Sequence, residues 1–338
     1  MKQRAILILR RLLLSVPALV GIVVITFLLT RALPGDPAAY FAGPAATPES
    51  VAQIRHKLGL DRALPLQFAA YVADLLQGDL GQSLTTGQSV GEALLQRLPA
   101  SLELTLAGLL FAVAIGLPLG ILAATRPDGW IDHLCRIVST AGVSLPTFFS
   151  GLLLITIFYA ILGWAPAPIG RLDLAFSPPD GPTGFFTIDA LLAGDLPMFR
   201  AALAQLILPA LTLGLFTLAP IARMSRASML AALGAEYIRT ARALGLSRFQ
   251  ILIRYALGNA ILPVITTLGM VFSFTLGANV LVEKVFAWPG IGSFAIDALT
   301  ASDYAAVQGF VLTMAILFVL LNLIIDLIHT IADPRVAA

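Results

Sequence analysis

The stretch Glu236-Tyr-Ile-Arg239-Thr-Ala-Arg242-Ala-Leu-Gly245-Leu-Ser247-Arg248-Phe-Gln250-Ile-Leu-Ile-Arg254-Tyr-Ala-Leu-Gly-Asn-Ala-Ile-Leu262-Pro263 is polar, while nearly everything on either side of it is apolar. Arg239, Arg242, Arg248 and Arg254 face a single acid, Glu236. The pattern predicts two short helices with a break between them. Gly245 tolerates the left-handed conformation that closes a helix C-terminus. Ser247 reads as the next N-cap, with Gln250 three residues on, as in a capping box. Ala241 and Gly245 share a small-residue face at i, i+4, and Glu236 and Thr240 form a polar pair at the same spacing. Such a helix suits a groove on another protein. The plainer reading is a surface helix pair between two membrane spans, with its arginines at the headgroups. A DNA-reading helix-turn-helix fits poorly, because apolar spans flank the segment on both sides.

Composition supports that setting. Of 338 residues, 58% are hydrophobic and 12% charged, and the mean hydropathy is +0.92; soluble domains carry about 25% charged residues. Six apolar stretches, at 9–31, 101–124, 136–163, 203–225, 261–286 and 308–332, reach the roughly 20 residues needed to cross a bilayer. With the N-terminus placed in the cytoplasm, the inside segments hold Lys2, Arg4, Arg10, Arg11, Arg126, Arg136, Arg223, Arg226, Arg239, Arg242, Arg248, Arg254 and Arg335, which is 13 of the 21 basic residues, in keeping with the positive-inside rule. An even number of spans returns the C-terminus to the same side. The apolar run after Lys2–Arg11 is too long for a cleaved leader and is read as a retained first span. Cys135 is the lone cysteine, so no intrachain disulfide forms.

Further patterns follow in chain order. Pro34 and Pro37 around Gly35-Asp36 force a turn. Residues 33–100 form an external region with amphipathic helices at Glu49–Leu60 and Leu66–Leu76, a turn at Gly78-Asp79-Leu80-Gly81-Gln82-Ser83, and a short helix from Val90 to Leu98. Ser101 is expected to cap the second span, with Glu103 in its first turn beside the positive helix dipole. Gly108, Gly116 and Gly120 allow close helix packing. The run Ser144-Leu-Pro146-Thr-Phe148-Phe149 breaks the third span and marks Phe148 and Phe149 as candidates to line a pathway, although aromatic packing is the commoner cause. The external loop 164–200 carries Asp173, Asp180, Asp189 and Asp195 against Arg171 and Arg200, an exposed acidic mouth. In the fifth span Ser273, Thr275 and Asn279 are further pathway candidates, since hydroxyls and an amide facing lipid are costly. Glu283-Lys284 reads as an interfacial pair and Trp288 as an interfacial anchor. Asp326, one turn from the inner end, reads as structural.

These motifs carry a resemblance. Tyr237-Ile-Arg-Thr-Ala-Arg-Ala-Leu-Gly245-Leu-Ser247 resembles the cytoplasmic coupling loop of ABC importer permeases, in the form similar to the dipeptide/oligopeptide/nickel class. Arg239-Thr240-Ala241 stands where the general loop has Glu-Ala-Ala. Leu33-Pro34-Gly35-Asp36-Pro37, Gly78-Asp-Leu-Gly-Gln-Ser83, Phe286-Ala-Trp-Pro-Gly-Ile-Gly292, Asp303-Tyr304, Gln308-Gly309 and Asp333-Pro-Arg-Val336 are similar to that class and occur in its order. The resemblance implies an all-α polytopic membrane protein with six transmembrane helices of the type I ABC importer permease kind and external helical cap loops. It divides the chain into an anchor and first helix (1–32), an external region (33–100) and a permease core (101–338) containing the external loop 164–200 and the coupling loop 226–260.

The function implied is a permease subunit that imports peptides or related solutes, including nickel complexes or glutathione, across a bacterial inner membrane, with both termini cytoplasmic. Implied partners are a second homologous permease, two ATP-binding subunits, a periplasmic substrate-binding protein and membrane lipid, with no nucleic acid. Glu236, Arg239, Thr240, Ala241, Gly245 and Ser247 are the expected ATPase-coupling residues. No catalytic or metal residue and no cofactor is expected in this chain, ATP and Mg being held by the partners. Consistent with this, no G-x-x-x-x-G-K-[ST] phosphate loop occurs, and Lys2, Lys57 and Lys284 all fail the pattern. A secondary transporter or channel is the alternative, but neither internal repeats nor mid-span charges are clear. An intramembrane enzyme lacks H-E-x-x-H, and His56, His133 and His329 are scattered.

Overall fold

In the computed structural model, residues 2–32, 36–43, 46–83 and 85–332 are described. The turn at Leu33–Gly35, the ending Asp333–Val336 and the side chains of Asp326 and of residues 2–12 lie outside that description. The elements are helical: α1 (Lys2–Ala32), α2 (Pro37–Ala42), α3 (Pro48–Lys57), α4 (Leu64–Leu76), α5 (Val90–Thr125), α6 (Trp130–Ser144), α7 (Thr147–Leu154), α8 (Phe186–Leu192), α9 (Leu196–Leu233), α10 (Glu236–Ala243), α11 (Arg248–Gln250), α12 (Gly258–Val285), α13 (Ile291–Thr300) and α14 (Tyr304–Ala332). Wider π-helical turns continue α7 through Ile155–Ile161 and join α11 to α12 through Ile251–Leu257. Among the described residues the one β contact is the bridge Gln82–Ser89.

Among the described residues, four helical stretches are long and apolar enough to cross a membrane: Val90–Thr125, Leu196–Leu233, Arg248–Val285 and Tyr304–Ile325. The predicted third span is a pair, Trp130–Ser144 and Thr147–Ile161, bent by 105°. The break falls where the sequence places it, because Pro146 disfavours helical geometry at Leu145, whose ψ is 132°. In α1 the described apolar run is Leu13–Leu29.

The chain divides into two compact units. One comprises residues 1–99 and 289–320. Its core joins Val90, Ala93 and Leu94 to Ile291, Phe294, Ala298 and Ala306. Asp303 is fully buried there. Its carboxylate accepts bonds from Ser83 Oγ at 2.7 Å and from the Thr85 N–H and Oγ1, each at 3.2 Å. It also caps α14 by accepting from the Ala306 N–H at 3.2 Å. The predicted turn around Gly78 and Gly81 forms, with φ of +79° and +82°, and is thereby fastened to the start of the last helix.

The other unit comprises residues 100–288 and 321–338. The long helix α9 is its axis, packed by α6, α7, α8 and α12. The glycine stripe of α5 behaves as expected. A Cβ on Gly108 would lie 3.2 Å from Ala210 O, one on Gly116 3.2 Å from Leu218 O, and one on Gly120 2.5 Å from Ala222 O. Backbones this close gain dispersion contact that larger residues would forbid.

Four expectations need correction. The short helix at 90–98 and the second span are one helix running through Pro99, so Ser101 is not an N-cap and Glu103 is not in a first turn. Instead Glu103 is buried and ion-paired with Arg171 at 2.6 Å, and it accepts from the Thr187 N–H and Oγ1 at 2.9 and 2.6 Å. In the loop 164–200, Asp173, Asp180 and Asp195 are exposed as expected, but Arg171 lies 3.5 Å over the Phe186 ring and Asp189 is 1% exposed. Glu283 is buried and accepts from Ser101 Oγ at 2.5 Å. Trp288 is 1% exposed, its indole N–H donating to Ala100 O at 2.9 Å. Glu103, Glu283 and Trp288 are polar groups in apolar settings that find partners far along the chain, as burial demands.

Candidate functional site

The polar segment after α9 is built on a small apolar base. Ile238 and Ala241 of α10 are 0% and 3% exposed and join Met229, Ala232, Ile251, Ala256 and Ala260 in one cluster. Glu236, Tyr237, Arg239, Thr240 and Arg242 point outward on the other face. Glu236 sits in the first turn, where the helix dipole favours an acid. It pairs with Arg239 at 3.2 Å, both side chains being about four-fifths exposed, so the pair contributes little stability. Thr240 Oγ1 donates to the Glu236 carbonyl at 3.3 Å rather than to its carboxylate.

The end of α10 is tightly specified. Gly245 has φ +77°. Its N–H donates to Arg242 O at 3.0 Å and the Leu246 N–H to Ala241 O at 3.3 Å, the two bonds of a Schellman motif. Ser247 then starts α11 with a complete capping box: Gln250 N–H donates to Ser247 Oγ at 3.3 Å, and Ser247 N–H to Gln250 Oε1 at 3.1 Å. Both local features match the sequence reading.

The result is a rigid corner that displays side chains. Leu244 and Phe249 are 75% and 72% exposed. Phe249 lines a cavity of about 850 Å³ together with Arg126, Arg242, Arg248, Leu246 and Leu252, among others. Leu244 and Phe249 were not singled out in the sequence. Their signal was an apolar residue on each side of a helix break, in a segment whose other exposed positions are polar. Ala241, by contrast, is enclosed by the chain's own cluster. The corner can present cations and two apolar knobs to a partner surface while Ile238 and Ala241 hold it down.

The pathway candidates lie on two helices, α7 and α12, which pack on each other. Thr275 is buried and donates to Val271 O at 2.7 Å. Asn279 is 1% exposed and donates through Nδ2 to Ser101 O and Thr105 Oγ1 at 3.2 and 3.1 Å. Ser273 is half-buried and donates to Gly269 O at 3.2 Å. Hydroxyls bonded to the carbonyl four residues back are satisfied within their own helix. Phe148 and Phe149, just past the break, are 41% and 42% exposed. Among the described residues no three His, Cys, Asp or Glu side chains converge as metal ligands. His56 lies 3.0 Å from Asp61.

At the start of α6 Asp132 is fully buried. It accepts from Arg136 at 2.7 Å and from both Nε and Nη2 of Arg226, joining the start of α6 to α9. Sequence reading missed this cluster, whose members are 94 residues apart at the farthest.

Comparison with known proteins gives a consistent result. A profile for the binding-protein-dependent transport system inner membrane component matches residues 116–338, and one for the N-terminal part of such membrane components matches residues 5–105. A probable D,D-dipeptide transport system permease protein of Escherichia coli (strain K12) is 47% identical over 316 residues, covering 94% of this chain and 93% of the relative. A di/tripeptide transport system permease protein of Pseudomonas aeruginosa (strain UCBPP-PA14) is 44% identical over 328 residues, 97% of each. The dipeptide transport system permease protein of Escherichia coli (strain K12) is 41% identical over 333 residues, 97% of this chain and 98% of the relative. A chain of the inward-facing MetNI methionine ABC transporter superposes with a TM-score of 0.50 at 20% identity, covering 71% of this chain and 96% of that one, a likeness of fold.

Proposed function

This chain belongs to the family of binding-protein-dependent transport system inner membrane components, and on that premise we propose that its cargo is a peptide of two or three residues. It is a permease subunit of an ABC importer, a transport component served by a substrate-binding protein and by ATPase partners. The peptide assignment rests on the relatives just described, whose names specify di-, tri- and D,D-dipeptides. Uptake of a labelled dipeptide and tripeptide by the reconstituted transporter tests it. Transport of neither, with ATPase activity intact, would move the cargo to another solute.

The further reading is that six spans place both termini in the cytoplasm, that a second homologous permease completes the pathway, and that two ATP-binding subunits, carrying ATP and Mg, dock on the corner 236–250. What supports this docking is one observation: Leu244, Phe249, Arg239, Arg242 and Arg248 project from a corner whose base, Ile238 and Ala241, is buried. Closure of the ATPases then moves α10 as a lever rather than melting it. Glu236, Arg239 and Thr240 meet the partner directly. Gly245 and Ser247 hold the angle between α10 and α11. For the pathway, Phe148 and Phe149 are exposed enough to face cargo as they stand, and Ser273, Thr275 and Asn279 reach it only if α12 turns against α5.

Gly245→Val tests the lever. A β-branched side chain at φ +77° costs about 1–2 kcal/mol or more and loosens the Schellman motif. Transport should fall several-fold while basal ATP hydrolysis persists. Transport and hydrolysis that stay in their original ratio would count against the lever.

A further inference from the structure

We propose that the cleft between the end of α1 and the α3–α4 turn binds the phosphodiester headgroup of an anionic phospholipid. The inference rests on the chain being an inner-membrane component. The cleft has a volume of about 240 Å³ and is lined by Arg31, Lys57, Arg62, Gln67, Tyr71 and Asp74, with Leu58, Gly59 and Ala70.

Charge is the first argument. Three cations meet one acid, Asp74, on this wall. The nearby acids are engaged elsewhere: Asp36 pairs with Arg55, and Asp61 lies 3.0 Å from His56. The cleft is therefore short of negative charge, and a phosphodiester supplies it with oxygens that accept from guanidinium and ammonium groups alike.

The second argument is that the cleft is built. Gln67 Nε2 donates to Leu60 O at 3.2 Å and to Arg62 O at 2.8 Å. Its Oε1 accepts from Arg31 Nε at 3.0 Å. One amide thus holds the turn against the last turn of α1. Gly59, at φ +65°, lets α3 end there and brings Arg62 back over it. Arg31 is further steadied by the Phe27 ring, 4.7 Å from its guanidinium carbon.

Depth is the third. Arg31 follows the apolar run Leu13–Leu29, in which Leu13, Leu14, Val20, Ile25, Leu28 and Leu29 are all more than half exposed. An apolar face this exposed suits lipid contact, and Arg31 stands just beyond it. Helix α4 buries no residue and leaves Leu64, Leu66 and Leu76 52–85% exposed. An apolar helix with nothing over it is stable lying in the headgroup layer. Phe27 packs on Phe68 and Tyr71 at 5.2 and 5.8 Å between centroids, an aromatic group at the level where membrane interfaces favour one. Lipid tails cover α4 and the α1 face, and the headgroup phosphate reaches the cations behind them.

The test uses the full chain purified from membranes in mild detergent and titrated with phosphatidylglycerol or phosphatidylcholine, bound lipid being counted by native mass spectrometry. Phosphatidylglycerol should bind saturably and at least tenfold better than phosphatidylcholine. Lys57→Gln/Arg62→Gln, at two exposed positions, should weaken it about tenfold or more, at roughly the strength each surface cation contributes. Arg200→Gln, an exposed cation remote in sequence, should leave it unchanged. Equal retention of the two lipids, or unchanged retention in the double variant, overturns the proposal. Displacement by soluble glycerophosphate at equal concentration reassigns the cleft to free phosphate and also overturns it. So does a double variant that keeps its lipid but loses the binding protein, which would mark an acidic protein surface as the occupant.

Discussion

Glu103 and Arg171 show what single residues do in this chain. Their side chains are 5% and 6% exposed, and the pair secures the loop before α8 to α5 through Thr187 and Gly184. Removing one partner leaves an uncompensated buried charge, a loss of about 3–5 kcal/mol. Arg171→Met should therefore lower the thermal midpoint in detergent sharply, and Glu103→Gln/Arg171→Met should recover much of the loss. A double variant no more stable than Arg171→Met alone would show that Arg171 acts through its packing on Phe186 instead. Nothing in the sequence joined these two residues. Glu103 looked like a first-turn acid because Ser101 looked like a helix N-cap. The pairing depends on a contact across 68 positions, which periodicity does not carry.

At the scale of elements, the sequence was most legible where one residue type permits only one geometry. Gly245 and the Ser247/Gln250 box specified the corner after α10, since few residues take φ +77° and a capping box is local. The α5 glycines were equally readable, because close approach needs a missing Cβ. Gly120→Leu should separate α5 from α9: a Cβ there already lies 2.5 Å from Ala222 O and 2.9 Å from Arg226 N, both backbone atoms that cannot swing away. The expected outcome is severe loss of monodisperse protein in size-exclusion chromatography. Gly277→Ala is the control, with nothing within 4 Å of its Cβ, and should be neutral or slightly stabilising. Recovery of normal yield for Gly120→Leu would mean that the two helices slide at low cost. The third span was half legible. Pro146 located the break, but proline marks a position and not an angle, so the 105° bend needed the packing of α6 and α7 on α9.

For the molecule as a whole, the unburied apolar surface constrains function more than any single residue. In the membrane-length window of α9, 61% of residues are buried within the chain, against 28% for α5 and 11% for the last helix. Leu106, Leu110 and Leu122 of α5 and Ile316, Phe318, Leu320 and Ile324 of α14 stand in the open. Such faces suit lipid, or the second permease proposed above. The corner at Leu244 and Phe249 is different: both residues are exposed, and Arg242 and Arg248 stand beside them, a mixed surface that suits a protein partner better than lipid tails. Hydropathy could mark apolar stretches but could not tell a face turned to α9 from one turned outward. The distinction lies in three-dimensional neighbours. It yields separable expectations for a pull-down from native membranes. Leu244→Asp/Phe249→Asp should strip P-loop ATPases from the purified chain while leaving a second permease bound, because it alters the corner and leaves the exposed apolar faces of α5 and α14 unchanged. Loss of both partners together would mean that the corner supports the whole assembly. Retention of the ATPases at their original ratio would show that the apolar knobs are not part of the docking surface, leaving the arginines to carry it.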